Sequence, residues 1–109
     1  MDFKEYQQKA GDTAFYPNAG NNYIYPALGL TGEAGEIANK IKKIERDADG
    51  VISDGSRLVL QAEIGDLLWY VARLSTELGL DLNIVAEENL KKLARRKADG
   101  TLHGSGDAR

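Results

Sequence analysis

Apolar residues recur at steps of three and four along the chain, which is the spacing of amphipathic helices. The first long repeat consists of Leu30, Ala34, Ile37, Ile41 and Ile44. It follows Pro26, which suits a first helical turn because proline lacks the N–H that would be unpaired there. The pattern therefore predicts a helix over residues 26–44.

A second long repeat predicts a helix that Ser56 caps and Gly79 ends. Its inward positions are expected to be Leu60, Ile64, Leu67, Leu68, Val71, Leu74, Ser75 and Leu78. Asp81 is expected to cap a last helix, which Gly100 ends and which turns Val85, Leu90 and Leu93 inward.

These helices, with a short one over about residues 2–14, account for most of the chain. No run of alternating β-branched residues predicts a sheet. The pattern therefore predicts an all-α fold, a bundle of four to five helices in one domain over residues 1–99. Residues 100–109, rich in glycine, are expected to form a C-terminal tail.

A length of 109 residues leaves room for one small domain. Such a chain buries only about 60–70% of the surface that its unfolded form exposes, which favours sharing apolar area with another copy. We therefore expect a homo-oligomer, either a homodimer or a tetramer made of two dimers.

The composition excludes several functions. A net charge of −3 provides no general attraction for nucleic acid, and the absence of cysteine excludes disulfides, thiolate zinc sites and cysteine nucleophiles. The longest apolar run, Leu67 to Ala72, is too short to span a membrane, and no signal peptide begins the sequence. We expect a cytoplasmic protein without membrane or nucleic-acid partners.

Two pairs of acids flank the apolar faces of the long helices. Glu33 and Glu36 lie on one helix and Glu63 and Asp66 on the other, each pair at spacing i, i+3. If these helices pack together, four carboxylates converge and repel one another, so protons or a cation must neutralise them. An oxygen-only set favours Mg²⁺, with Mn²⁺ as the substitute. The alternative is that these four side chains are exposed to solvent and bind no metal, as is usual for acidic residues on helices.

The flanking residues carry a family resemblance. The segments YPALGLTGEAGEIANKIKK and EIGDLLWYVA, with the closing HGSGD, resemble the MazG-like all-α nucleoside triphosphate pyrophosphohydrolases. The signature of that family is ExxE, a spacer and ExxD. Glu33 and Glu36 fill its first half and Glu63 and Asp66 its second, and the resemblance extends over about residues 15–107.

The resemblance implies hydrolysis of a nucleoside triphosphate between its α and β phosphates, which releases a monophosphate and pyrophosphate. It further implies that all four acids ligate Mg²⁺, and that Glu33 or Glu36 also orients and deprotonates the attacking water. A purine deoxynucleotide, dGTP first, is the expected substrate.

Other residues are candidates for binding the substrate. Lys40 and Lys43 extend beyond Glu36 on the same helix, where they can meet phosphates or form salt bridges. Tyr70 follows Asp66 by one turn and can offer its hydroxyl, whereas Trp69 is expected to project to the opposite side, into the core or a subunit interface. Asn89, Lys92 and Arg96 match the family's Asn-x-x-Lys-Leu-x-x-Arg pattern and are expected to face the phosphates.

A second class of function stays open on the sequence alone. A non-enzymatic helical dimerisation or regulatory module would explain the apolar helix faces. It would not explain why two acid pairs border the same expected helix–helix interface. A di-iron bundle is excluded because it requires Glu-x-x-His motifs, and the residues at i+3 here are Glu36 and Asp66.

Overall fold

A computed structural model describes residues 1–107, and over that range it contains only helices and turns. The α-helices are α1 (Phe3–Ala10), α2 (Ile24–Ala48), α3 (Asp54–Glu77) and α4 (Leu82–Asp99), and a short 3-10 helix (Gly11–Thr13) follows α1. The predicted all-α fold is confirmed, while residues 108 and 109 of the predicted tail lie outside the described residues. Throughout the described range, no helix has the length and apolar character of a membrane span.

The starts of α2 and α3 differ from the prediction, and α2 ends at Ala48 rather than near residue 44. At the start of α2, the side-chain oxygen of Asn22 accepts the N–H of Tyr25 at 3.1 Å, so the helix begins before Pro26. Ser56 was expected to cap α3, but Ser53 does so by accepting the N–H of Ser56 at 3.1 Å. The prediction was wrong because Asp54 suits a first helical turn, where the helix dipole favours a negative charge.

The ends of α4 match the prediction. Asp81 caps the helix by accepting the N–H of Asn83 at 2.8 Å. Gly100 ends it in the left-handed conformation, with φ of 71°. Gly79, expected to stop α3, also has a positive φ of 70°.

The helices pack as a long hairpin with a smaller unit at one end. The short link 49–53 turns α3 back along α2, so the two helices run antiparallel with an extensive shared interface. α1 and α4 pack against α3, where Ala10, Ala72 and Leu82 form a buried cluster. The Gln7 side chain joins these elements, since it donates to the Leu80 carbonyl and accepts the Leu82 N–H, both at 2.8 Å.

The single chain is open and leaves much apolar surface exposed. Its radius of gyration is 16.7 Å, against about 13 Å for a compact chain of this length. Ile64, Leu78, Val85 and Leu90 were expected to face inward but are exposed, Ile64 by 56% and Leu90 by 68%. Further exposed apolar residues of the α2–α3 hairpin are Leu28, Ile41, Val51, Ile52, Leu58 and Val59. These residues were expected to be buried, but within the described part of a single chain no helix covers the apolar faces on which they lie.

Candidate active site

The α2–α3 interface brings three acidic side chains together. One carboxylate oxygen of each of Glu33, Glu63 and Asp66 lies within 4.8 Å of the others. The arrangement follows from the i, i+3 spacing on α3, which turns both of its acids toward the turn of α2 that carries Glu33. We refer to these three residues as the carboxylate cluster.

The surroundings of Glu33 shift its pKa. A hydrogen bond with Glu63 raises the pKa of Glu33 above its ordinary value, and burial and the negative charges of Asp66, Glu63 and Glu36 raise it further. Its Oε2 atom is buried without a hydrogen-bond partner. Such an atom is costly to bury unless something pairs with it, so the site favours a proton or a cation at Glu33.

Glu36 lies at the edge of the cluster rather than within it. Its side chain is more than half exposed, and its Oε2 is 3.7 Å from Nζ of Lys40. The same ammonium group is 3.4 Å from Oε1 of Glu63. Lys40 therefore joins the two acid pairs and offsets part of their negative charge.

The donor chemistry of the cluster fits a hard divalent cation. Three carboxylates supply oxygen ligands alone, which Mg²⁺ prefers, and Mn²⁺ accepts the same set. The unpartnered Oε2 of Glu33 is a ready ligand atom. Glu33, Glu63 and Asp66 would hold such an ion, and Glu36 is near enough to contribute charge to the site.

A pocket of about 450 Å³ opens beside the cluster. Its lining residues are Thr13, Glu33, Asp66, Trp69 and Tyr70. This volume is in the range of small-molecule sites. The pocket thus joins two carboxylates to an aromatic surface, which we call the aromatic wall and define as Trp69 and Tyr70.

Tyr70 occupies the place expected for it. Burial raises the pKa of its hydroxyl, and the nearby Tyr25 and Glu33 raise it further, so the phenol stays protonated and can donate. The ring fits because residue 29 is glycine: a Cβ there would lie 2.2 Å from Cε1 of Tyr70.

Trp69 packs against the buried cluster of Ala10, Ala72 and Leu82, as expected of a core residue, but the expectation that it projects away from Asp66 was wrong. Its indole lines the same pocket as Asp66, and its N–H donates to Oγ1 of Thr13 at 2.9 Å. The signal was present in the sequence, because Trp69 follows Asp66 at i+3 and so shares its helix face. Thr13 gave no comparable signal, since only the packing of α1 against α3 brings it to the pocket.

The remaining polar and basic candidates lie outside the pocket beside the cluster in a single chain. Lys43 lines a second groove between α2 and α3, together with Lys40 and Val59. Asn89 and Lys92 line a groove on α4 that shares no residue with the pocket beside the cluster. The structure therefore brings Lys40 and Tyr70 to the acids, and leaves Lys43 and the α4 residues apart from them.

Arg96 and Lys92 are engaged by the C-terminal tail. Arg96 is buried, and its guanidinium donates to both the side-chain and the backbone oxygen of Asp107, at 2.9 and 3.1 Å. Lys92 reaches the same carboxylate at 3.2 Å. The two cations hold the pKa of Asp107 below its ordinary value.

A buried ionic network fixes the loop that precedes α2. The side chain of Glu77 is fully buried and accepts hydrogen bonds from the Tyr16 hydroxyl and from the N–H groups of Gly20 and Asn22, at 2.7 and 3.0 Å for the latter two. Arg73 donates to the Tyr16 hydroxyl at 3.1 Å. Burial alone would raise the pKa of Glu77, but these hydrogen bonds and the charge of Arg73 together lower it.

The sequence did not single out this network. Glu77 is 61 positions from Tyr16, and neither residue belongs to a motif. Tyr16 also stacks on Tyr25, with ring centroids 4.8 Å apart and planes within 5°. The network thereby secures the aromatic residues next to the pocket.

Together, the fold and the site define an all-α protein whose pocket is built around acidic side chains of two antiparallel helices. A family model, the MazG nucleotide pyrophosphohydrolase domain, matches residues 25–101, and the chain belongs to this family. The gene 37 protein of Mycobacterium phage L5 is 53% identical over an alignment that covers 95% of this chain and 96% of the relative. A comparison with solved structures finds no match.

Proposed function

We propose that the protein hydrolyses nucleoside triphosphates between the α and β phosphates, giving a nucleoside monophosphate and pyrophosphate. The observation that carries the proposal is the convergence of Glu33, Glu63 and Asp66 beside a pocket of nucleotide size in a chain of this family. A helical dimerisation module would account for the exposed apolar faces, but it gives no reason to crowd three carboxylates into a pocket.

Mg²⁺ is the proposed cofactor and Mn²⁺ its substitute. When bound, the ion supplies positive charge that offsets both the carboxylates and the phosphate oxygens. Glu33, Glu63 and Asp66 would hold it directly, and Glu36 directly or through water. Positioning and charge then supply most of the rate enhancement, as is general for phosphoryl chemistry.

The side chains around the cluster have distinct proposed roles. Glu36 or Glu33 orients the attacking water and takes its proton. The exposure of Glu36 supports the first of these assignments, because an exposed carboxylate keeps an oxygen free to accept. Lys40 would turn from the carboxylates to a phosphate oxygen, and the Tyr70 hydroxyl would donate to the bound substrate.

The polar and basic residues that lie outside the pocket are proposed to reach the substrate in another way. Lys43, Asn89, Lys92 and Arg96 can meet the phosphates only if a second copy of the chain brings them to the pocket, or if the substrate extends beyond it. We therefore retain them as proposed substrate ligands in a homodimer or a tetramer of two dimers. The proposed location is the cytoplasm, with no nucleic-acid partner.

A panel of canonical triphosphates tests the proposal. The protein is incubated with each triphosphate and Mg²⁺, and the products are separated by ion-exchange chromatography. Monophosphate and pyrophosphate are expected, from dGTP and other purine nucleotides first. Diphosphate with orthophosphate would contradict the cleavage position, and unchanged triphosphate across the panel would overturn the proposed activity.

A further inference from the structure

One part of the pocket beside the carboxylate cluster is lined by residues that have no role in binding the metal. Trp69 comes from α3 and Thr13 from the 3-10 helix that follows α1. The indole of Trp69 cannot ligate a metal, and the Thr13 hydroxyl is already hydrogen-bonded to Trp69 and to the Ala10 carbonyl. Their position in the same cavity as Glu33 and Asp66 places them where the non-phosphate part of a nucleotide would lie.

The indole of Trp69 is held in one orientation. Its N–H donates to Oγ1 of Thr13 at 2.9 Å, and the Thr13 hydroxyl donates in turn to the Ala10 carbonyl at 3.3 Å. Perpendicular ring contacts with Tyr16 at 6.3 Å and Tyr70 at 5.1 Å hold the indole from two further directions. Fixed before a ligand arrives, the ring loses little freedom when one binds.

The same contacts occupy the polar atoms of this part of the pocket. The indole has a single N–H donor, and Thr13 accepts it. The hydroxyl proton of Thr13 is used by Ala10. Trp69 therefore presents ring surface to a ligand. Thr13 presents its methyl group and one remaining hydroxyl lone pair, so the two residues offer no donor for the edge of a base.

On the basis of the function proposed above, we propose that the nucleobase of the substrate stacks on Trp69 and that the site accepts several bases with little discrimination. Every base has a π-face, so stacking tolerates a change of base. Strong discrimination requires buried polar groups that pair with the base edge, because the wrong base then leaves them unpaired. Purines gain a modest advantage because their larger ring system buries more surface.

Intrinsic fluorescence tests the stacking directly, because Trp69 is the only tryptophan of the chain. The full-length protein with Mg²⁺ is titrated with the α,β-imido analogues of dGTP and dCTP, and separately with inorganic tripolyphosphate. Both nucleotides are expected to quench the emission, whereas tripolyphosphate, which lacks a base, leaves it unchanged. Equal quenching by tripolyphosphate would overturn the stacking.

Two substitutions separate aromatic stacking from simple apolar packing. Trp69→Leu removes the aromatic face, so KM is expected to rise about 5- to 150-fold, the range that loss of one base–aromatic stack implies. kcat changes little, because stacking stabilises ground and transition states alike. Trp69→Phe keeps an aromatic ring and is the matched control, so its KM is expected to rise much less.

Trp69 also packs on the buried cluster near α1, so circular dichroism must show that both variants are folded. If folded Trp69→Leu and Trp69→Phe have the same KM as the native protein, stacking on Trp69 is refuted. If Trp69→Leu does not fold, the fluorescence titration of the native protein decides the question.

A comparison of four deoxynucleoside triphosphates tests whether the site accepts different bases. Values of kcat/KM for dGTP, dATP, dCTP and dTTP are expected to lie within about tenfold of one another, with purines ahead. A preference above about a hundredfold for one base would overturn the tolerance and leave the proposed hydrolysis intact. Failure to release monophosphate from any triphosphate would instead overturn the proposed function.

Discussion

The ring of Tyr70 lies so close to the Cα of Gly29 that a methyl group at position 29 would fall 2.2 Å from the ring carbon Cε1. This contact brings α2 and α3 close together beside the pocket. The position of the aromatic wall therefore depends on the absence of a side chain on the neighbouring helix.

Gly29→Ala should displace Tyr70 and loosen the pocket. Overpacking of this kind costs about 1–3 kcal/mol, so the free energy of unfolding in urea should fall by that amount. The KM for triphosphate should rise at the same time. Gly32→Ala is the control, because a Cβ there meets nothing within 4 Å and a helical alanine gains up to about 1 kcal/mol over glycine. Equal stability of the two variants would contradict the proposed displacement.

Whether a contact of the site can be predicted from the sequence depends on how far apart its two residues lie along the chain. Glu63 and Asp66 were placed by helical spacing alone, and the same spacing would have placed Trp69 had it been measured from Asp66. Lys40 was also found in this way, since its contact with Glu36 is between neighbouring turns.

Contacts between distant segments could not be predicted in this way. The hydrogen bond from Trp69 to Thr13 spans 56 positions and that from Gly20 to Glu77 spans 57. Neither residue pair has a periodic relation in the sequence. The exposure of Ile64 was missed for a related reason, because periodicity identifies an apolar face but not what covers it.

Asp66→Asn should raise the stability of the metal-free protein and lower its activity. The charge of Asp66 helps to raise the pKa of Glu33, so its removal relieves repulsion within the cluster. In EDTA the variant should therefore melt at a higher temperature than the native protein. The native protein is expected to show a rise in Tm on addition of Mg²⁺, because ligand binding to the folded state stabilises it. The variant should lose this rise. Turnover should fall at least about a hundredfold.

Asp49→Asn is the matched control for Asp66→Asn. Asp49 is exposed and has the left-handed conformation that asparagine also tolerates. Its substitution should leave the Mg²⁺-dependent shift in Tm unchanged. If Asp66→Asn keeps both the shift and the turnover, the cluster does not hold the metal.

Glu77 should make the protein sensitive to acid. Its pKa in the folded state is lowered: burial opposes this, but the Tyr16, Asn22 and Gly20 hydrogen bonds and the charge of Arg73 outweigh burial. The stabilisation is complete above about pH 4.5, the ordinary pKa of glutamate, and is lost as the pH falls through the lower folded-state value. Urea unfolding from pH 7 to pH 3 should therefore show stability declining on the acid side.

Glu77→Gln isolates that contribution. It leaves the buried guanidinium of Arg73 without its counter-charge, so stability at pH 7 should drop by about 3–5 kcal/mol. The acid-side decline should then be shallower than in the native protein, because the titrating group is gone. Tyr16→Phe, which keeps the stacked ring and removes one hydroxyl, should cost less, about 1–3 kcal/mol. An unchanged pH profile in Glu77→Gln would show that other carboxylates set the acid sensitivity.

The exposed apolar face of the α2–α3 hairpin should be covered by another copy of the chain. Ile64 is 56% exposed and lines, with Ile52 and Leu60, a groove along α3 beside the link 49–53. Soluble monomers rarely leave such contiguous patches open. Size-exclusion chromatography with light scattering should give the mass of a dimer or tetramer for the native protein, and a smaller species for Ile64→Glu. Lys4→Glu changes the charge of an exposed residue on α1, outside the hairpin, and should leave the mass unchanged. A native protein that is monomeric at micromolar concentration would refute this arrangement, and Lys92 and Arg96 would then have no route to the carboxylate cluster through a second chain.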